Sequence, residues 1–210
     1  MHCRLCSNNE LISLHSSDER NYYLCPYCKL ISVPRQYFLS PERERDRYLS
    51  HNNGIEQQGY LDFLNKAIEP ALPFLKRNML GLDYGCGYAP TLSALLAGKG
   101  FRCENYDPFF IENDLNATYD FIFSTEVFEH FFNPQQDIKR ITDLLKPDGV
   151  LIVMTEKWRD VQAFDSWYYK RDRAHVAFYH SDTFTFIAER FGYHVIYDDG
   201  QRVVILRKVK

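Results

Sequence analysis

The stretch Leu82-Asp83-Tyr84-Gly85-Cys86-Gly87-Tyr88-Ala89-Pro90 limits what this chain can fold into more than any other. Apolar Met79 and Leu80 precede it and the helix-like run Leu92 to Leu96 follows, so the local reading is strand, tight glycine turn and helix. With no Cβ at Gly85 and Gly87, backbone N–H groups and a helix N-terminus can come close to a ligand. Pro90 suits a first helical turn. Such a turn either cradles a nucleotide-like cofactor or only joins strand to helix.

A second constraint lies at the N-terminus. Cys3-x-x-Cys6 and Cys25-x-x-Cys28 use four of the six cysteines, at the interval of a four-cysteine zinc ribbon. Each pair puts two thiolates on one turn, and a tetrahedral ion joining the turns replaces a core that so short a segment cannot build. Disulfides or unliganded thiols are the other readings. Four protein ligands leave no open coordination position, so the zinc expected here is structural. Cys86 and Cys103 read as buried free thiols.

Between these features, Pro34 and Pro41 and the charged run Glu42 to Arg47 read as a linker or a solvated helix. Gly59 to Leu75 carries apolar residues at helical spacing. The expected division is therefore a ribbon at 1–33, a linker at 34–58 and a main domain at 59–210. The 210 residues suffice for one α/β core plus a small appendage. A net charge of −3 argues against a globally basic nucleic-acid binder. No apolar run is long enough for a bilayer and no signal-like segment starts the chain, so a cytoplasmic location without membrane attachment is expected.

After the glycine turn, Phe101 to Tyr106 reads as a second strand ending in Asp107-Pro108. A carboxylate there can accept both hydroxyls of a ribose. Only a dozen or so residues separate Asp107 from the next strand, Tyr119 to Ser124, too few for a full helix-strand-helix excursion. A third strand is therefore expected to be missing or rudimentary. Thr125-Glu126-Val127-Phe128-Glu129-His130 follows, with Pro134 beyond. An amphipathic helix then stops at Lys146-Pro147-Asp148-Gly149, read as a turn before the strand Val150 to Met154. Asp198-Asp199-Gly200 between β-rich runs predicts a hairpin.

Taken together, these motifs resemble class I S-adenosylmethionine (SAM) dependent methyltransferases of the type 11/12/23 kind, over about the last two-thirds of the chain. The carriers are D-x-G-x-G-x-small at Asp83 to Ala89, where the family often has a third glycine, E-V-x-E-H-x-x-x-P at Glu126 to Pro134, and L-L-K-P-D-G-V-L at Leu144 to Leu151. A dinucleotide fingerprint would need G-x-G-x-x-G. The resemblance implies an α/β, Rossmann-like sheet with a reduced third strand and a C-terminal reversed β-hairpin, preceded by the ribbon. It implies a cofactor site of Asp83, Gly85, Cys86, Gly87, Asp107, Pro108, Thr125 and Glu126.

The candidate catalytic residues are His175, His130 and His180, since imidazole can take a proton from an acceptor near neutral pH. Glu126, Glu129 and His130, at i, i+3 and i+4 of a helical turn, would converge on a divalent cation, joined by His175 or His180. E-x-x-E-H also resembles the metal element of ubiquinone-pathway and small-RNA 3′-end methyltransferases. The alternative is a set of structural hydrogen bonds shaping the pocket edge. Trp158, Phe164, Trp167, Tyr168, Tyr169, Phe178 and Tyr179, beside Lys157, Lys170, Arg171 and Arg173, suit a planar or sugar-like acceptor bearing phosphate or carboxylate, or else simply pack on the sheet.

The function expected is methyl transfer to an oxygen or nitrogen, or a carbon, of a small-molecule or glycan acceptor such as a nucleotide sugar. An rRNA or tRNA base is the alternative substrate, and a non-catalytic SAM-binding module the alternative of another class. The sequence does not specify the oligomeric state.

Overall fold

The computed structural model describes residues 1–50 and 54–210. In chain order come β1 (Ile12–Leu14), β2 (Tyr22–Leu24), β3 (Ile31–Ser32), α1 (Pro41–Leu49), α2 (Gln58–Ala71), β4 (Leu80–Tyr84), α3 (Thr91–Gly98) and β5 (Arg102–Tyr106). Next are β6 (Tyr119–Thr125), α4 (Pro134–Leu144), β7 (Leu145–Met154), α5 (Val161–Phe164), β8 (Ala177–Phe178), α6 (Ser181–Phe191), β9 (Tyr193–Asp198) and β10 (Val203–Lys208).

The main sheet runs β5-β4-β6-β7-β10-β9. Its first four strands are parallel, and β10 enters antiparallel between β7 and β9. The expected C-terminal reversed hairpin is thus present. No strand lies beyond β5 among the described residues, which agrees with the expected loss of a third strand.

Successive side chains of these apolar strands point to opposite faces, and helices cover both. Ile122, Leu151, Val153, Val204 and Leu206 join one core with α4 and α6. Their neighbours Phe121, Phe123, Ile152, Val203 and Ile205 join the other, with α2 and α3. The expected turn at Lys146–Gly149 is instead an irregularity inside β7. Tyr119 pairs with Leu145 and Phe121 with Val150, and Asp148 takes a positive φ of 60° to accommodate the extra residues.

A second sheet, β1-β2-β3-β8, changes the expected picture of the N-terminus. Its fourth strand comes from late in the chain, through the pairs Ile31↔Phe178 and Ser32↔Ala177. Tyr22, Ile31 and Val33 share a core with Trp158, Phe164, Tyr169, Val176 and Phe178. The ribbon therefore builds its sheet and core with residues 158–178 rather than standing apart. The stretch read as linker or solvated helix forms α1, whose Glu44 is buried; residues 51–53 of that stretch lie outside the described residues. No helix of the described residues is long and apolar enough to cross a membrane.

Candidate active site and cysteine cluster

A cavity of approximately 900 Å³ opens at the C-terminal ends of β4, β5 and β6, where ligands of parallel α/β sheets collect. The turn after β4 forms its floor. Gly85 and Gly87 have φ of +84° and +69°, and a Cβ on Gly85 would meet Val127 Cγ2 at 2.4 Å. The N–H groups of Gly85 and Cys86 both donate to Tyr106 O, at 2.7 and 3.1 Å. Gly87 N–H donates to Asp107 Oδ2 at 2.9 Å, and Phe109 N–H to Oδ1 at 2.8 Å.

These bonds revise the sequence reading of the turn. The amides of Gly85, Cys86 and Gly87 are engaged with Tyr106 and Asp107, so these three are not free donors of the kind that holds pyrophosphate. What it presents is carboxylate. Asp83 is 2% exposed and its Oδ1 has no partner. Burial, followed by the charge of Asp107, raises its carboxyl to about 7. Asp107 is raised by burial against the pull of its backbone donors. A buried orphan acceptor and a second carboxylate with spare lone pairs fit a ligand rich in ammonium and hydroxyl donors.

The same cavity is also lined by Glu129, His130 and His175, whose ligand atoms are within 4.8 Å of one another. Glu129 is fully buried; its Oε1 accepts from Tyr169 Oη at 2.5 Å and its Oε2 from Thr155 Oγ1 at 2.8 Å. His130 Nδ1 faces Ala174 O at 3.1 Å and His175 Nδ1 faces Tyr169 O at 2.7 Å. A carbonyl oxygen can only accept, so each Nδ1 bears a proton. Burial and then His130 lower His175 to about 4, so its ring is neutral near pH 7.

The helical spacing expected for Glu126, Glu129 and His130 does not occur. Glu126 takes a positive φ of 54°, and a 3-10 turn begins only at Phe128. Glu126 falls outside the three-residue cluster, and His175 takes its place. Burial and then Glu129 raise the Glu126 carboxyl well above its usual range; Arg202 Nη1 lies 3.4 Å from its Oε1. Cys86, Pro108 and Thr125 line the cavity with Asp83, Gly85, Gly87 and Asp107. His180 does not. It caps α6, accepting from Asp182 N at 3.1 Å, and packs on Trp158 with ring centroids 4.5 Å apart.

The aromatic-basic stretch after β7 also lies elsewhere. Lys157 pairs with Asp198, and Lys170 lies 3.3 Å from Asp18 and 3.2 Å from Asp165. Trp158, Phe164 and Tyr169 pack against the ribbon. The packing reading holds for these residues, and none of the four cations lines the main cavity. Its walls come instead from Glu44, Tyr48, Tyr60, Phe63, Phe109 and Phe132. No motif marks these positions. The helical periodicity of Gly59 to Leu75 placed Tyr60 and Phe63 on a common face, and Phe109 stands just after the Asp107-Pro108 strand end. Cys86 and Cys103, expected buried, are only partly so.

At the N-terminus the two knuckles repeat one geometry. Cys3 N–H donates to Asn8 O and Ser7 N–H to Cys3 O; likewise Cys25 N–H donates to Leu30 O and Lys29 N–H to Cys25 O. Ser7 and Lys29, each following the second cysteine of its pair, have φ of 63° and 58°. Cys3 and Cys28 sulfurs are 3.4 Å apart, as are those of Cys6 and Cys25. A disulfide would need about 2 Å, whereas thiolates around a tetrahedral zinc sit roughly 3.8 Å apart. The donor set is compatible with a zinc ribbon.

A family model described as a methyltransferase domain matches residues 55–197, most of the chain. This chain belongs to that methyltransferase family. Among solved structures, a Burkholderia thailandensis 1,6-didemethyltoxoflavin N1-methyltransferase, bound to 1,6-didemethyltoxoflavin and S-adenosylhomocysteine (SAH), is similar. It shows 14% identity, coverage of 94% of this chain and 99% of that one, and a TM-score of 0.61. A Synechocystis magnesium protoporphyrin IX methyltransferase with bound SAH shows 17% identity, coverage of 83% and 97%, and a TM-score of 0.55. No curated protein matches in sequence. The fold is that of class I, SAM-dependent methyltransferases.

Proposed function

We propose that this methyltransferase binds SAM over the Gly85–Gly87 turn and methylates an oxygen or nitrogen of a small-molecule or glycan acceptor seated beside His130 and His175. One observation carries the reading: a single cavity is lined by the buried, unpartnered Asp83 Oδ1 and by two imidazoles, His130 and His175, whose Nδ1 atoms face backbone carbonyls. Asp83 and Asp107 would hold the methionyl part and the ribose of the cofactor, which supplies a reactive methyl when bound. The chain's own work is then positioning, water exclusion and proton removal. The neutral His175, held through Nδ1 by Tyr169 O, is suited to take the acceptor's proton at Nε2. The cavity has space for an acceptor beside the cofactor, between aromatic rings. Four thiolates at Cys3, Cys6, Cys25 and Cys28 would hold the structural zinc.

Native mass spectrometry tests the cofactor and the zinc together. The expected result is a species heavier by one zinc and, after incubation, one SAH. An apo mass that stays unshifted after incubation with both overturns both assignments.

A second reading adds a divalent cation at Glu129, His130 and His175. Both imidazoles are oriented by carbonyl acceptors at Nδ1, an arrangement typical of metal-ligating histidines. Titrating Mn²⁺ into the protein should then deplete the free-ion electron paramagnetic resonance signal at one site, and His130→Gln should abolish that site. An undiminished free-ion signal removes this reading.

A further inference from the structure

Two arginines of the ribbon reach the two segments that carry the cavity's imidazoles. Arg4 lies between the zinc-knuckle cysteines Cys3 and Cys6. Its Nη1 donates to Phe132 O and its Nη2 to Val176 O, both at 2.7 Å. One guanidinium thus bridges the residue two after His130 and the residue after His175. It also stands 4.8 Å over Phe38, which stacks on the cavity-lining Phe132 at 4.4 Å. Arg20, 2% exposed, donates to His175 O at 3.0 Å and to Lys170 O. Gln135 N–H donates to Arg4 O at 3.2 Å, and Val33 N–H to Val176 O at 3.1 Å.

The Nε of each arginine is buried without a partner. Such burial is costly, and an apolar side chain would pack with less penalty. What the guanidinium adds is a rigid fork that fixes two acceptors at once. Here the acceptors are backbone carbonyls, so the Arg4 fork fixes the chain path just after His130 and just after His175. Val176 N–H in turn donates to Glu129 O at 2.8 Å, closing the link between the two segments. None of the described ribbon residues lines the cavity itself.

We propose that Arg4 and Arg20 are positioning residues through which the four-cysteine ribbon holds the acceptor end of the cavity in shape, while the cofactor end stands independently of it. The inference rests on the methyl-transfer reading of this cavity, and SAH affinity, measured on every sample, tests that reading separately. The samples are the full zinc-loaded chain, its Arg4→Met and Arg4→Lys variants, and the chelator-stripped chain. Each is followed by SAH calorimetry, amide hydrogen exchange and ¹⁵N spectra of the imidazoles.

In Arg4→Met and in the stripped protein, amides of residues 128–132 and 174–178 should exchange about tenfold faster. The His130 and His175 signals should leave the Nδ1–H tautomer, and the SAH dissociation constant should stay within about twofold. Arg4→Lys, which keeps the charge but not the fork, should fall between. Unchanged exchange with unchanged tautomer signals overturns the proposal. So does a parallel loss of SAH affinity, which would make Arg4 a general prop of the fold. If Arg4→Met does not fold, the stripped wild type and Arg20→Lys decide by the same criteria. If SAH fails to bind the unaltered protein, the cavity reading falls and this inference falls with it.

Discussion

The two ends of the cavity are built in opposite ways. The part proposed to hold the cofactor is local: Asp83, Gly85 and Gly87 lie on one strand-turn, and Asp107 directly follows the adjacent strand, bonded to Gly87 N–H. The part proposed to face the acceptor is assembled from distant pieces. His130 is held by Ala174 O, His175 by Tyr169 O, and Glu129 by Tyr169 and Thr155 hydroxyls. Local construction tolerates little change in any one residue but needs little support from afar. Remote construction spreads the geometry over many contacts and lets acceptor walls vary while the cofactor floor stays put.

The largest effect expected at the local end comes from Gly85→Val. A side chain there collides with Val127 and must also take a positive φ that branched residues avoid. SAH binding should fall at least about 100-fold, a loss of some 3 kcal/mol, as read by calorimetry. Retained binding would mean that the turn is not the cofactor floor.

His175→Gln probes the remote end. It should leave SAH affinity within about twofold and slow methyl transfer roughly 100-fold once an acceptor is in hand. Equal losses in SAH binding and turnover would show that the two ends are not separable.

The smallest effect sharpens the electrostatics of the floor. With the Asp83 carboxyl raised to about 7 in the free protein, the proton must leave before the carboxylate can pair with a cationic ligand. A group whose proton is lost on binding makes affinity rise with pH below its pKa and level off above it. SAH affinity should therefore weaken by up to about tenfold per pH unit below 7, and Asp83→Asn should be weaker throughout and flat over that range. A wild-type profile that is flat from pH 5 to 8 would separate Asp83 from the ligand.

The same contrast explains what could be read from the sequence. The glycine turn, the acid ending β5, the missing third strand and the terminal hairpin all show in spacings of a few residues, where backbone geometry dictates residue type. The paired knuckles are legible for the same reason. The acceptor walls are not, because Glu44, Tyr48 and Phe132 acquire their place only through long-range packing. The Glu126 to His130 spacing misled, since a positive φ at Glu126 breaks the helical period that the pattern presumes. The aromatic run from Trp158 to Tyr169 misled differently. Its rings are as suited to a partner sheet as to an acceptor, and β8 pairing with β3 gives them the sheet. Lys170 follows, since a buried cation needs carboxylates and finds Asp18 and Asp165 there.

That pairing has a consequence in time. On the ribosome, Ser32 emerges long before Ala177, the residue it pairs with; at ordinary elongation speeds roughly 7 to 30 seconds separate them. Throughout that interval β3 is an unpaired edge, and the apolar face under Tyr22 and Ile31 lacks its cover. An early-bound metal ion would hold the nascent ribbon in register while the rest of the polypeptide is made. Metal supply at the start of synthesis, rather than in the finished enzyme, would then govern how much of the chain reaches its native form.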